Sequence, residues 1–491
     1  MAEPISPSRL STGIEGLDRI LEGGLPAASL YLLEGDAGSG KTTLSLQFLR
    51  EGASKGERTL LVAFSETRDE LETFVASHGW SLDGVEVMDF SDLRSIFGTE
   101  RKQTLFHSSE IEFAAVVELI RERIDQLRPT RVVIDSLSEL RHLAGDGSHY
   151  RLHLESLKPV LLEHGSTVVL ADARIEGLGG FGLQTLVHGV VTLDHLVPDF
   201  GPYRRRLRVQ KLRNVRFHEG LHDFEIRTGG IVLYPRLVPL ANIPTPVGSR
   251  VPTGIAGFDT ILGGGLDRGT STLIMGPAGS GKSSLGTQVA FAALQRGERV
   301  AFYVFDERVT TLLERASGLG MDLQPHIDSG LLLVRHVDPV ELSPGRFAHL
   351  VRTEVEAGSR MVIIDSLTGY VSSMGDEGSL TLQIRNLLNY LSEHEVATLL
   401  ISVQHGLIGS IDGVAGNISY LADTVVVLRY YEHSGEVRRA LSVFKRRAGP
   451  HERTIRDIEF TPSGISIGPP LRQFRGILTG VPELDIQMAA Q

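Results

Sequence analysis

Two octapeptides carry the clearest chemistry in the chain. Residues 35–42 read GDAGSGKT and residues 276–283 read GPAGSGKS. Both fit the pattern G-x-x-x-x-G-K-[ST], in which glycines let backbone N–H groups curl around phosphate oxygens. A helix opening at the end of such a loop adds partial positive charge. On this reading Gly38, Ser39, Gly40, Lys41, Thr42 and Thr43 hold one ATP. Gly279, Ser280, Gly281, Lys282, Ser283 and Ser284 hold a second. Lys41 and Lys282 should reach the β- and γ-phosphates, and the hydroxyls of Thr42 and Ser283 should ligate Mg²⁺. A single octapeptide can be a plain glycine-rich turn. Two at equivalent places of a repeat are not explained that way.

Carboxylates follow at matching distances. Asp135 and Asp365 end the apolar runs RVVID and MVIID, each followed by Ser-Leu. An Asp at the end of a buried strand, downstream of a phosphate loop, is placed to hold the Mg²⁺ shell; the plainer role is a cap for the next helix. Glu66 (in FSET) and Glu307 (in FDER) follow the second apolar run of each half. Such a carboxylate can orient the water that attacks a γ-phosphate, or be a solvated loop charge. Ser65 precedes Glu66, whereas Asp306 precedes Glu307, so the second half has adjacent acids. One of them could take a hydroxyl proton while the other supports metal or water.

These residues need a scaffold, and the chain writes it twice. STGIEGLDRILEGGL (11–25) returns as PTGIAGFDTILGGGL (252–266). Lys41 and Lys282 stand 241 residues apart, as do Glu66 and Glu307, while Asp135 and Asp365 stand 230 apart. A drifting offset of this size marks duplicated domains, expected at 1–240 and 241–491 around the proline-bearing stretch 236–250. SLYLLEG, TLLVAF, RVVIDS and TVVLAD read as buried strands; 42–54 and 113–127 read as helices. STLIMG, VAFYVF, MVIIDS and TLLISV repeat the strand order. The fold class expected is α/β, each half a mostly parallel sheet flanked by helices.

Together these features resemble the KaiC family of bacterial circadian clock proteins over nearly the whole length. The resemblance rests on the double phosphate loop and on TGI-x-G-x-D-x-x-L-x-G-G-L opening each half. It rests also on SET and DER, and on QKLRN (210–214) and VFKRRAG (443–449). It implies tandem RecA-like domains, a double-ringed homo-hexamer, slow ATP hydrolysis, autophosphorylation by the second ring, and KaiB-like or other signalling partners. Asp306 and Glu307 match the family's paired catalytic glutamates, with Asp306 also near the metal. Lys211, Leu212 and Arg213, with Arg439, Lys445, Arg446 and Arg447, match residues that contact a neighbouring subunit's nucleotide. The family's phosphorylated Ser-Thr pair falls on Ser419 and Tyr420, so Ser419 is the expected phosphorylation site. The chain stops soon after FRGILTGVPELD, without the long tail that meets an activating partner in the cyanobacterial clock.

By alternation alone, RRRLRVQKLR places Lys211 and Arg213 on one face of a strand. Recurrence in both halves favours cations reaching a γ-phosphate across an interface over a charged edge that blocks pairing.

Composition narrows the alternatives. The formal charge is −11 and there is no cysteine, which excludes a global nucleic-acid footprint, disulfides and thiolate metal sites. The start, MAEPISPSRL, has no signal-peptide core, and no long apolar run suggests a membrane helix, so a cytoplasmic protein is expected. A DNA-translocating motor of the same fold would need cations in its central loops, yet 172–190 carries one basic residue, Arg174, and 402–419 carries none. A non-catalytic scaffold switched by bound nucleotide stays open on sequence grounds.

Overall fold

The computed structural model describes residues 8–91, 108–144, 147–174, 183–197, 201–238, 249–372, 377–404, 419–477 and 483–484. The chain divides into two compact units, Met1–Arg236 and Leu237–Gln491.

The first unit is built on nine strands: β1 (Leu30–Gly35), β2 (Thr59–Ala63), β3 (Val85–Asp89), β4 (Arg131–Asp135), β5 (Thr167–Ala173), β6 (Gly189–Leu196), β7 (Arg204–Leu212), β8 (His222–Arg227) and β9 (Gly230–Tyr234). Their order across the sheet is β9-β8-β7-β6-β1-β5-β4-β2-β3. The six strands from β6 to β3 run parallel, and β7, β8 and β9 extend the sheet as an antiparallel meander. The parallel strands are mainly apolar because helices cover both faces, among them α1 (Lys41–Ser54), α2 (Arg68–Ser77) and α3 (Ser108–Leu127). Alternate residues feed two cores. Leu33, Leu61 and Val133 face Leu46 and Leu49 of α1, while Leu32, Val62 and Ile134 face Val116 and Ile120 of α3.

The second unit repeats the plan with β10 (Ser271–Gly276), β11 (Arg299–Val304), β12 (Leu332–His336), β13 (Ser359–Asp365), β14 (Ala397–Val403), β15 (Thr424–His433), β16 (Glu436–Arg446), β17 (Arg456–Thr461) and β18 (Gly464–Pro470). Their order is β12-β11-β13-β14-β10-β15-β16-β17-β18. Helices α4 (Lys282–Gln295) and α5 (Val309–Gly318) match α1 and α2. The expected strands and the helix after each loop are present, and the sheets are the mostly parallel, helix-flanked kind expected. The antiparallel end of each sheet is an addition to that expectation.

Candidate nucleotide sites

Each phosphate loop joins the central strand of its sheet to the helix on one face. Gly40 and Gly281 cap α1 and α4 in the left-handed region, at φ 104° and 96°. A Cβ at Gly40 would lie 2.8 Å from Ile226 Cδ1, and one at Gly281 only 2.1 Å from Phe460 Cζ. The loop is thus seated against the antiparallel meander, where only glycine fits.

Lys41 Nζ donates to the carbonyls of Gly35 (2.7 Å) and Asp36 (2.9 Å), and Lys282 Nζ donates to Pro277 (2.6 Å). Each amine therefore rests on its own loop, where incoming phosphate would compete for it. Burial pulls Lys41 below its ordinary range and Lys282 down to about 8, with Asp135 and Asp365 opposing that shift. The hydroxyls of Ser39 and Ser280 are fully buried and have no partner among the described residues. A cradle with unpaired donors suits an oxyanion.

Thr42 Oγ1 donates to Asp135 Oδ2 at 2.8 Å, which brings the loop hydroxyl and the strand carboxylate together. Both Asp135 and Asp365 are buried at the ends of β4 and β13. Burial raises both carboxyls: hydrogen bonding from Thr42 pulls Asp135 back, and hydrogen bonding from Ser283 restrains Asp365, which reaches about 6. The peptide bond after each of these aspartates is cis.

Glu66 and Glu307 stand just beyond β2 and β11, beside these aspartates. Burial, then the charges of Asp135 and Glu70, push Glu66 up to about 7. Glu307 is bound by Arg315, Nη1 to Oε2 at 2.5 Å and Nη2 to Oε1 at 2.7 Å. Asp306 accepts from the Ser366 hydroxyl, whereas its counterpart Ser65 meets Ser136 Oγ at 3.4 Å. The structure thus gathers the phosphate loop, the strand-end Asp and the Glu in both units.

The later cations separate into two groups. Lys211 Nζ donates to the carbonyls of Gln184 and Val187, and Arg213 to that of Thr185. Lys445 Nζ likewise binds the carbonyls of Ser419 and Ala422, and Arg447 that of Tyr420. Both pairs secure the turn before β6 or β15, away from their own unit's phosphate loop. Arg213 lies just past the end of β7 rather than within it. Arg446 turns inward, buried and paired with Asp267 at 2.7 Å, so its side chain serves its own unit; this separates it from Lys445 and Arg447. Leu212 is half-buried, beside the Lys211 backbone. Arg439 sits over the rings of Tyr430 and Phe460, at 5.9 and 5.2 Å. Ser419 is half-buried and Tyr420 exposed; residues 411–418 of the loop before them lie outside the described residues. So do 175–182 and 405–418 of the two loops weighed for DNA contact.

No local motif points to the side chains of β6 and β15 that lie beside each loop. Tyr430 Oη donates to the Ala278 carbonyl at 3.1 Å, and His195 stacks edge-on to Tyr203 beside Gly38. Aligning the two halves strand by strand would have marked them.

The family model described as "ATPase: KaiC" matches residues 10–238 and again 251–472. The chain belongs to the KaiC ATPase family. Among its relatives is the circadian clock protein KaiC3 of Synechocystis, 28% identical over 489 residues, covering 96% of this chain and 94% of that protein. The circadian clock oscillator protein KaiC of Synechococcus elongatus is 28% identical over 480 residues, covering 97% and 92%. Membership in the KaiC family carries ATP binding with it, and the two family matches coincide with the two loop-bearing units. No helix among the described residues is long and apolar enough to cross a membrane.

Proposed function

We propose that each unit hydrolyses MgATP slowly, that the second also phosphorylates Ser419, and that the chain works as a double-ringed homo-hexamer in nucleotide- and phosphorylation-controlled signalling. The observation that carries this reading is the repeated constellation of loop lysine, loop hydroxyl, strand-end Asp and adjoining Glu. In hydrolysis the water oxygen bonds to the γ-phosphorus, the bridging bond to the β-phosphate breaks, and ADP leaves. Glu66 or Glu307 accepts the water's proton. Lys41 and Lys282 stabilise charge on the phosphoryl oxygens.

The donors suit Mg²⁺. Thr42 and Asp135 offer hard oxygens 2.8 Å apart, and no cluster of three or more His, Cys, Asp or Glu forms a closed metal cage among the described residues. Mg²⁺ ordinarily binds through one or two carboxylates and substrate phosphates. Thr42 and Asp135, with Ser283, Asp365 and Asp306 in the second unit, would hold it. When bound it neutralises charge building on the β- and γ-oxygens.

For phosphorylation, the Ser419 hydroxyl oxygen would bond to a γ-phosphorus as its bond to the β,γ-bridging oxygen breaks and ADP leaves, passing its proton to Glu307 or Asp306. Support comes from the acid pair present only in the second unit and from Lys445, which fixes the Ser419 carbonyl at 3.1 Å. Lys211, Arg213, Arg439, Lys445 and Arg447 are the proposed contacts to a neighbour's nucleotide, with bound ATP favouring the assembled form. The names of the relatives motivate a clock-like role.

The test incubates purified protein with ATP and Mg²⁺ and follows ADP release, protein mass and light scattering. Lys41→Ala and Lys282→Ala should each silence one site and together abolish turnover. One phosphate per chain should appear, and be lost in Ser419→Ala. Wild-type turnover in the double variant would remove the ATPase assignment. An unmodified wild-type chain would remove the kinase, and a monomer at saturating ATP the ring.

A further inference from the structure

The two sites differ by one cation that no phosphate-loop or strand motif contains. Helices α2 and α5 begin two residues after Glu66 and Glu307, and they correspond residue for residue across the duplication. Arg315, in the last turn of α5, grips Glu307 with two hydrogen bonds, at 2.5 and 2.7 Å. The corresponding residue of α2 is Phe74, which packs on the His78 ring 5.0 Å away. Glu66 has no ion pair among the described residues.

A guanidinium fork occupies both carboxylate oxygens at once and fixes the plane of the group. Arg315 is only 28% exposed at its side chain and Glu307 21%, so the pair is shielded from full solvent screening. The second site also has an extra acid, Asp306, where the first has Ser65. Arg315 supplies the compensating positive charge, and its field reaches Asp365 as well. A carboxylate held in this way must leave the fork, or share it, before it can face a water or hydroxyl at a γ-phosphate.

We propose that Arg315 is a positioning residue that clamps Glu307 and so restrains proton acceptance in the second site, a restraint the first site lacks. The proposal rests on the catalytic reading of Glu307 given above. It accounts for a duplicated chemistry in which one copy of the base is unrestrained and the other is held in reserve. The clamp opens when nucleotide brings its own charge to the site.

The experiment isolates the second site in a Lys41→Ala background and measures phosphate release. Arg315→Gln should raise kcat roughly threefold to fivefold, the scale of a partly exposed ion pair, with KM for ATP unchanged. Arg315→Lys, which keeps charge but loses the fork, should fall between. A second readout is independent of turnover. In wild type, a non-hydrolysable ATP analogue should speed hydrogen exchange at residues 313–318. Arg315→Gln should exchange at that faster rate with or without the analogue. A folded Arg315→Gln variant with kcat at or below its parent would overturn the clamp, as would analogue-insensitive exchange in wild type. Glu307→Gln separates the two levels: a parental rate there removes the catalytic reading and the clamp with it. Loss of activity there beside an unmoved Arg315→Gln removes the clamp alone.

Discussion

At the scale of single residues, the two carboxylates proposed as bases, Glu66 and Glu307, sit in different electrostatic surroundings. Glu66 is raised to about 7 by burial and by the neighbouring charges of Asp135 and Glu70, with no cation paired to it among the described residues. A general base works only when deprotonated, and kcat/KM reports the ionisation of the free enzyme. In a Lys282→Ala background, first-site kcat/KM should therefore fall about tenfold per pH unit below about pH 7 and level off above it. Glu66→Gln should be slow and lose this dependence. A first-site kcat/KM that stays flat between about pH 6 and pH 8 would show that Glu66 is not the titrating base.

At the scale of elements, legibility followed the source of each constraint. Strands β1, β2, β4 and β5 were readable because both faces are buried, so they appear as mainly apolar runs ending in Gly, Ala or Asp. The loop residues were readable because phosphate binding dictates glycine, lysine and hydroxyl at fixed spacing. The meander was not, since β7 mixes arginines with buried Leu207 and Val209 and reads equally as an exposed edge. Nor was the Arg315 fork, because i to i+8 pairing across a strand end and a helix leaves no periodic trace. A further unreadable difference lies at the start of the strands that end in Asp135 and Asp365. Arg131 opens β4 fully buried, with Glu57 at 2.5 Å, the carbonyls of Ser11 and Phe48 at 2.7 and 2.8 Å, and the Phe48 ring 4.6 Å beneath it. Met361 fills the matching place in β13, also fully buried. Arg131→Ala removes the cation from the Glu57 carboxylate and empties a fully buried site, so the first unit should lose about 3–5 kcal/mol. Met361→Ala should cost the second about 2–5 kcal/mol through a cavity alone. Urea denaturation of each variant checks both; a loss under about 1 kcal/mol for Arg131→Ala would mean the network relaxes without it.

At the scale of the whole molecule, the units should respond differently to acid. His222, at the start of β8, is fully buried. Its Nδ1 accepts from the Arg236 backbone N–H at 3.0 Å and its Nε2 donates to the His218 carbonyl at 3.1 Å, an arrangement that requires the neutral ring. Burial lowers its pKa to about 4, aided by the Arg236 charge and opposed by the His218 hydrogen bond. The unfolded chain, with an ordinary histidine pKa near 6.5, binds the proton first. Stability of the first unit is therefore complete above about pH 6.5 and is lost progressively as pH falls towards about 4, by up to about 3 kcal/mol from this group. At the matching start of β17 stands Arg456, paired with Glu452 at 2.7 Å, where the first unit has this buried ring. Hydrogen exchange followed by mass spectrometry at pH 7 and pH 5, corrected for intrinsic rates, should show protection falling in β7 to β9 while β16 to β18 keep theirs. His222→Gln should be less stable at neutral pH, because it loses a fitted ring, yet its stability should change less between the two values. Equal acid sensitivity in wild type and His222→Gln would place the titrating group elsewhere.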